Sequence, residues 1–126
     1  MSDRKTHYLA GLALFGMNRH TEAIAEFRKA LELSPDWLDC LHALATAQSK
    51  LGLHDEAIAT IQRVIELDPS DPFAHTSLSI FLQRKGLIPE AEKAQAQARM
   101  ASWKQELKKN PNAPPPDNMG EIKVVQ

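Results

Sequence analysis

The chain has 126 residues and a formal net charge of −1, from 15 basic and 16 acidic side chains. This balance disfavours a nucleic-acid partner, because nucleic-acid-binding domains normally carry a basic excess. The single cysteine, Cys40, excludes an intrachain disulfide, and no apolar run approaches the roughly 20 residues that cross a bilayer. We therefore expect a cytoplasmic protein without membrane insertion.

Three segments of the sequence align without a gap, each 34 residues after the one before. They cover about residues 4–37, 38–71 and 72–105. Small, turn and proline positions recur in register: Gly11, Ala45 and Ser79; Asn18, Gly52 and Gly86; Ala23, Ala57 and Ala91; and Pro35 with Pro69. Self-similarity at a fixed period of this length is typical of repeat proteins, in which each repeat is one supersecondary unit.

Each segment shows two amphipathic helical patterns with a break between them. Gly52 suits the left-handed residue that ends a helix, and we expect Thr21 and Asp55 to cap the helices that follow the breaks. Pro35 and Pro69 are expected to end the second helices. The chain therefore predicts six helices, paired as three hairpins, in which small residues let the two backbones of a hairpin approach.

The third segment lacks the closing proline, so its second helix is predicted to run on to about residue 109. This extension carries an apolar stripe: Ala96, Met100, Trp103 and Leu107. We expect the stripe to be a second interface, for self-association into a homo-oligomer or for a partner, unless the tail folds back and covers it. Residues 111–126 are predicted to be a Pro-rich linker and a short strand-like segment, which is disordered, self-docking or partner-docking.

The repeated positions resemble the tetratricopeptide repeat signature, W-x2-L-G-x2-Y, then A-x3-F, then P. The matching residues are His7, Ala10, Gly11, Leu14, Ala23, Phe27 and Pro35 in the first repeat, with their counterparts 34 and 68 residues later. The resemblance implies an all-α fold, an α-solenoid of three helix-turn-helix repeats with an extended last helix and an irregular C-terminal tail. We expect one repeat domain at 4–110 and the tail at 111–126.

Resemblance to this family also implies a concave groove, lined by the first helix of each repeat, that holds a peptide or helix. The predicted groove residues are Lys5, Tyr8, Leu12 and Phe15 in repeat one, His42, Thr46 and Lys50 in repeat two, and Phe73, Thr76, Ile80 and Arg84 in repeat three. Some of these aromatic side chains have the alternative of packing between repeats. Heat-shock co-chaperones of the family hold a carboxylate with charged and amide side chains. The corresponding positions here, among them Tyr8, Leu12 and Phe73, cannot form such a clamp.

No cofactor, metal or catalytic group is expected. The histidines recur one hairpin apart, about 10 Å or more, which is too far for side chains to share one metal ion. No phosphate-binding loop or nucleophile motif is present. The sequence therefore predicts a non-enzymatic adaptor or scaffold that binds another protein or peptide. A small secretion-type chaperone for one secreted or membrane-inserting client and an accessory subunit of an enzyme complex are the alternatives.

Overall fold

The computed structural model describes residues 3–116, and all regular structure within that range is α-helical. The six helices are α1 (Arg4–Gly16), α2 (His20–Leu33), α3 (Leu38–Lys50), α4 (His54–Leu67), α5 (Pro72–Lys85) and α6 (Ile88–Lys109). They pair as α1–α2, α3–α4 and α5–α6. The predicted fold class is thereby confirmed. The predicted strand-like segment near the C-terminus lies outside the described residues.

The chain divides between Leu67 and Asp68 into two compact units. In the first unit, the two hairpins pack through α2 and α3. Their shared core consists of Ala23, Ile24, Phe27, Ala30, Cys40, Leu44 and Ala47. Phe27 is its largest side chain without solvent exposure, and burial of one such ring stabilises the fold by about 1.5–3 kcal/mol. The predicted domain limits, 4–110 and 111–126, stay a prediction.

Each hairpin turns at the position that the repeat register singled out. Asn18, Gly52 and Gly86 have φ angles of 62°, 79° and 91°. In each turn the next residue donates its backbone N–H to a carbonyl five residues earlier, at 2.9 Å. This is the bond that closes a helix through a left-handed residue, and it satisfies a carbonyl that the helix end would leave unpaired.

The predicted helix caps after these turns are wrong. Thr21 and Asp55 are the second residues of α2 and α4, so they lie inside the first turn of those helices. The residue that caps α2 is Arg19, which makes no side-chain capping bond. The reason is that the left-handed turn already aligns the backbone, so the next helix begins two residues after Asn18.

The predicted close approach within hairpins takes a different form in each repeat. Gly11 is buried against the Phe27 ring, with no room for a Cβ atom. Ala45 and Ala57 are both fully buried. In the second unit, the Ser79 hydroxyl donates to the Ala91 carbonyl oxygen at 2.8 Å, across the α5–α6 contact. Small residues therefore permit close contact between first and second helices at Gly11 and at Ser79, as predicted.

The α5–α6 hairpin belongs to the second unit, which begins at Asp68. Asp71 caps α5 by accepting the Phe73 backbone N–H at 2.9 Å, and Pro72 occupies the first turn. The last helix has 22 residues and ends at Lys109, as the missing proline predicted. After it, Ala113 donates its backbone N–H to the Asn110 carbonyl at 3.0 Å, so the chain reverses in a tight turn.

Candidate binding pocket

A small apolar pocket opens on the face of α1 and α3 in the first unit. Leu12 and Phe15 of α1, Phe27 of α2, and Ala43 and Thr46 of α3 line it, and its volume is about 150 Å³. An apolar cavity of about this volume holds a molecule the size of benzene. The pocket therefore accepts one aromatic or branched aliphatic side chain.

Local sequence rules place these walls. Leu12 and Phe15, like Ala43 and Thr46, are three residues apart, so each pair lies on one face of its helix. Ala43 has only a methyl group, which leaves the space between the helices open. Phe27, fully buried, lies beneath this space.

The pocket walls are held by contacts behind them. The Phe15 ring packs edge-on against His20, with ring centroids 4.8 Å apart. The Thr46 hydroxyl donates its proton to the His42 carbonyl oxygen at 2.9 Å, in a hydrogen bond within α3. Thr46 thus has no second proton to donate to a ligand, although its hydroxyl oxygen can still accept one hydrogen bond. The other four lining residues are apolar, so the pocket favours an apolar side chain.

The rim of the pocket is apolar on the α1 side. Leu9 and Leu12 are 52% and 39% exposed. Lys5 and Lys50 are exposed and His42 is half-buried. The structure thus brings three predicted groove residues together in one pocket: Leu12, Phe15 and Thr46. Lys5 lies in the first turn of α1 and Lys50 at the end of α3, so neither lines the pocket.

Tyr8, another predicted groove residue, packs between helices. Its ring lies 4.6 Å from the Trp37 ring and 6.1 Å from Phe27, measured between centroids. The Arg4 guanidinium covers Trp37 at 4.5 Å from the ring centroid. Partial burial, with the charge of Asp39 nearby, raises the pKa of Tyr8. Tyr8 thus follows the alternative that the sequence left open, in which an aromatic side chain packs against its neighbours instead of lining the groove.

In the second unit, the four predicted groove residues follow one face of α5. Phe73 is 75% exposed and Ile80 is 39% exposed, and Arg84 is also exposed. Thr76 is half-buried and donates its hydroxyl to the Pro72 carbonyl at 3.0 Å. The exposed ring of Phe73 is thus the largest apolar contact that α5 offers.

Sequence reasoning did not identify Phe27 as a pocket residue. It matched Phe27 only to the aromatic position of the repeat signature. The usable signal was Ala43: a small residue facing Leu12 and Phe15 leaves a recess above the buried Phe27 ring. That signal depends on knowing which residues face each other across two helices.

The four residues of the predicted second interface, Ala96, Met100, Trp103 and Leu107, are all half-buried. The Trp103 indole N–H donates to the Ala113 carbonyl oxygen at 3.0 Å, so the chain beyond α6 folds back against this stripe. The stripe stays a predicted interface, with part of it covered by the chain's own tail.

Within residues 3–116, no three histidine, cysteine or acidic side chains come together in a way that would hold a metal ion. None of the helices in this range combines the length and the apolar character needed to span a membrane. His7 instead pairs with Glu26, at 2.8 Å between Nδ1 and Oε1, and this hydrogen bond, followed by that of Lys29, lowers the pKa of Glu26.

The fold and the repeat register define a helical-repeat protein, and comparison with known families identifies which one. Residues 14–80, more than half of the chain, match the family model of the tetratricopeptide repeat. The chain belongs to the tetratricopeptide repeat family. This confirms the predicted class, a repeat module for protein–protein interactions. A search of curated protein sequences finds no significant match.

Solved structures share the fold. A crystal structure of MamA matches with a TM-score of 0.79 and 26% sequence identity over 82% of this chain and 61% of MamA. YrrB, described as a tetratricopeptide protein with an unusual peptide-binding site, matches with a TM-score of 0.75 at 19% identity, over 89% of this chain and 54% of YrrB. SycD, a type III secretion translocator chaperone of Yersinia enterocolitica, matches with a TM-score of 0.76 at 20% identity, over 84% of this chain and 80% of SycD. The chain thus spans about three fifths of the MamA structure.

Proposed function

We propose that this protein is a non-enzymatic adaptor that binds a partner's peptide or helix by inserting one bulky apolar side chain into the α1–α3 pocket. The observation that carries the proposal is the pocket itself, an apolar recess lined by Leu12, Phe15, Phe27, Ala43 and Thr46. Recognition of a peptide through a few buried apolar anchors is a common mode for helical grooves.

The surroundings of the pocket support this mode. Leu9 and Leu12 extend the apolar surface along α1, so residues next to the anchor also find apolar contact. Lys5 and Lys50, exposed at the ends of α1 and α3, favour a partner with acidic residues flanking its anchor. Burial of one leucine or phenylalanine anchor contributes about 1.5–3 kcal/mol, which is a factor of about ten or more in affinity.

The test begins with peptides selected on the full-length protein from a random library displayed on phage. The selected peptides are synthesised and titrated into the wild type and into Ala43→Leu, whose larger side chain fills the pocket. Ala25→Leu is the matched control, because Ala25 is exposed on α2, outside the pocket. We expect Ala43→Leu to weaken binding about tenfold or more, and Ala25→Leu to leave the affinity unchanged.

A second variant guards against misfolding of the first. Leu12→Gln removes an apolar wall at the exposed rim without adding volume to the core, and it is expected to weaken the same peptides. Peptides whose affinity neither variant alters bind elsewhere, and that result would remove the pocket from the proposal.

The alternative is a chaperone dedicated to one client, which also needs an apolar pocket for a client segment. Co-expression of a protein that carries the selected peptide sequence separates the two roles. A chaperone raises the soluble fraction of its client, and Ala43→Leu abolishes that effect. An adaptor binds the same protein and leaves its solubility unchanged.

A further inference from the structure

The chain beyond α6 folds back onto its own last helix at Trp103. The Trp103 indole N–H donates to the Ala113 carbonyl oxygen at 3.0 Å. The reversal is made by Asn110, which accepts the Ala113 backbone N–H on its carbonyl at 3.0 Å and the Asn112 backbone N–H on its side chain at 3.2 Å. This turn carries the prolines that follow Ala113 back along the helix.

The chemistry of this contact is that of proline-rich peptide recognition. Proline fixes φ and has no backbone N–H, so consecutive prolines favour an extended helix with free carbonyl oxygens. Grooves that bind such segments offer aromatic side chains to the proline rings, and the tryptophan indole N–H supplies a donor for a carbonyl. Here the Trp103 indole donates to the Ala113 carbonyl, and Trp103 lines one groove together with Pro114 and Pro116.

The contact leaves much of the surrounding site empty. Trp103, Pro114 and Pro116 line a cavity of about 500 Å³ together with residues of one α6 face and Thr76 of α5. The α6 residues are Gln95, Ala98, Arg99, Ser102 and Glu106. The site is widely open to solvent, so it suits an extended segment laid along the surface. Pro114 and Pro115 are exposed to solvent, so the segment covers the site without filling it.

We propose that the Trp103 face of α6 is a second binding surface, specific for an extended proline-rich segment of a partner protein. In this structure the chain's own Ala113–Pro116 occupies that surface in cis, as a tethered competitor. It is distinct from the α1–α3 pocket, since every residue that lines it belongs to the second unit.

We expect a partner's proline-rich segment to be able to displace the tethered segment. Within residues 3–116, the indole of Trp103 makes one hydrogen bond to the segment, at Ala113. Its short tether gives the segment an effective concentration of about the millimolar range. A partner's segment lacks the tether and gains contacts instead, because it can reach the polar α6 side chains that line the empty part of the cavity.

The experiment follows the indole N–H resonance of Trp103 by NMR in the full-length, 15N-labelled protein. Trp103→Phe assigns the resonance by its loss. Trp37 is the second tryptophan of the chain, and its resonance is the internal control, because Trp37 packs against Tyr8 in the first unit. The probe is a synthetic peptide with the sequence of residues 110–117, and the control peptide has glycine in place of the prolines at 114 and 116.

The decisive variant is full-length Pro114→Gly/Pro116→Gly, which removes the preorganisation of the tethered segment and opens the contact. We expect the Trp103 resonance to move in this variant, and the proline peptide to shift it back in a saturable way. Saturation is expected at a concentration about tenfold or more below that needed for the wild type, where the tethered segment competes. The control peptide and the Trp37 resonance are expected to show no response.

Three results would overturn the proposal. A Trp103 resonance that does not move in the glycine variant removes the prolines from the contact. If the resonance moves in the glycine variant but does not shift when the proline peptide is added, the surface does not bind such a segment in trans. A wild-type resonance that changes with protein concentration shows that the segment covers Trp103 of another copy, and the in-cis assignment is then wrong.

Discussion

Gly11 of α1 lies against the ring of Phe27 in α2, where a Cβ atom at position 11 would be 2.6 Å from Phe27 Cδ1. Phe27 is fully buried in the core of the first unit, so any shift of its ring disturbs the packing around it. The absence of a side chain at position 11 therefore sets the distance between the two helices of the first hairpin.

Gly11→Ala is accordingly expected to destabilise the protein by about 1–3 kcal/mol through overpacking, although alanine favours the helix by about 1 kcal/mol. Gly16→Ala is the matched control in the same helix, since nothing lies within 4 Å of a Cβ atom there. The midpoint of urea unfolding is expected to fall for Gly11→Ala and to stay or rise for Gly16→Ala. Equal midpoints for the two variants would contradict the close approach.

The turns between paired helices give a second prediction, which rests on backbone strain and not on steric overlap. A Cβ atom at Gly52 meets nothing within 4 Å, but its φ of 79° is left-handed. Gly52→Ala is thus expected to cost about 1–2 kcal/mol from backbone strain alone. Asn18→Gly, at the equivalent turn, is expected to leave stability within about 0.5 kcal/mol, because asparagine tolerates this region and glycine adds unfolded-state entropy. Thermal unfolding of both variants measures the difference.

Cys40 gives a prediction about reactivity and pH. Burial raises the pKa of its thiol from 9.0 to about 11, and its sulfur lies 3.4 Å from the Phe27 carbonyl, to which the S–H donates. A rise of two pKa units leaves about a hundredfold less thiolate at pH 8, and burial blocks access as well. We expect slow labelling by a disulfide reagent in the native protein and rapid, stoichiometric labelling in guanidinium. Rapid native labelling would show that the helix contact opens readily.

The same thiol links stability to pH in one direction. The folded protein favours the neutral form, so the contribution of Cys40 to stability is complete below pH 9 and is lost as the pH rises from 9 towards 11. Cys40→Ser, whose hydroxyl does not titrate in this range, is expected to flatten that part of the profile. Unfolding midpoints measured across this interval for both proteins test the sign.

Trp37, which lies just before α3, contacts two residues of α1: its ring packs against Tyr8 and lies beneath the Arg4 guanidinium. Trp37→Ala is expected to destabilise the protein by about 2 kcal/mol, less than for a fully buried aromatic residue. Arg4→Ala removes the cation–π contact together with the exposed hydrogen bond from the guanidinium to Ser34 Oγ, and it is expected to cost about 0.5–1 kcal/mol. Lys5→Ala, at an exposed neighbouring position, serves as the control. A loss for Lys5→Ala as large as for Arg4→Ala would assign the effect to helix charge instead of the ring contact.

Local rules in the sequence predicted the helices and turns well. The left-handed positions at Asn18, Gly52 and Gly86 follow from residue type and register, because few residues adopt positive φ without strain. The same rules failed for the caps at Thr21 and Asp55. A capping side chain is needed where the chain enters a helix freely, whereas here the left-handed turn delivers the backbone directly into it.

The sequence could not predict the two surfaces in the same way. The family resemblance implied that Leu12, Phe15 and Thr46 line one groove, whereas Phe27 was matched only to the repeat signature. The sequence marked Trp103 as part of an interface and left open whether the tail would cover it. In both cases the answer depends on which side chains from distant parts of the chain share one space.

By itself the sequence determined a three-hairpin tetratricopeptide protein, because a 34-residue register of small, turn and proline residues encodes local geometry that each repeat carries on its own. Only the tertiary structure decided that Ala43 leaves a pocket above the buried Phe27 ring and that the Ala113 carbonyl accepts the Trp103 indole N–H. These contacts join residues far apart in sequence, and packing and hydrogen bonding between such residues exist only once the helices have docked.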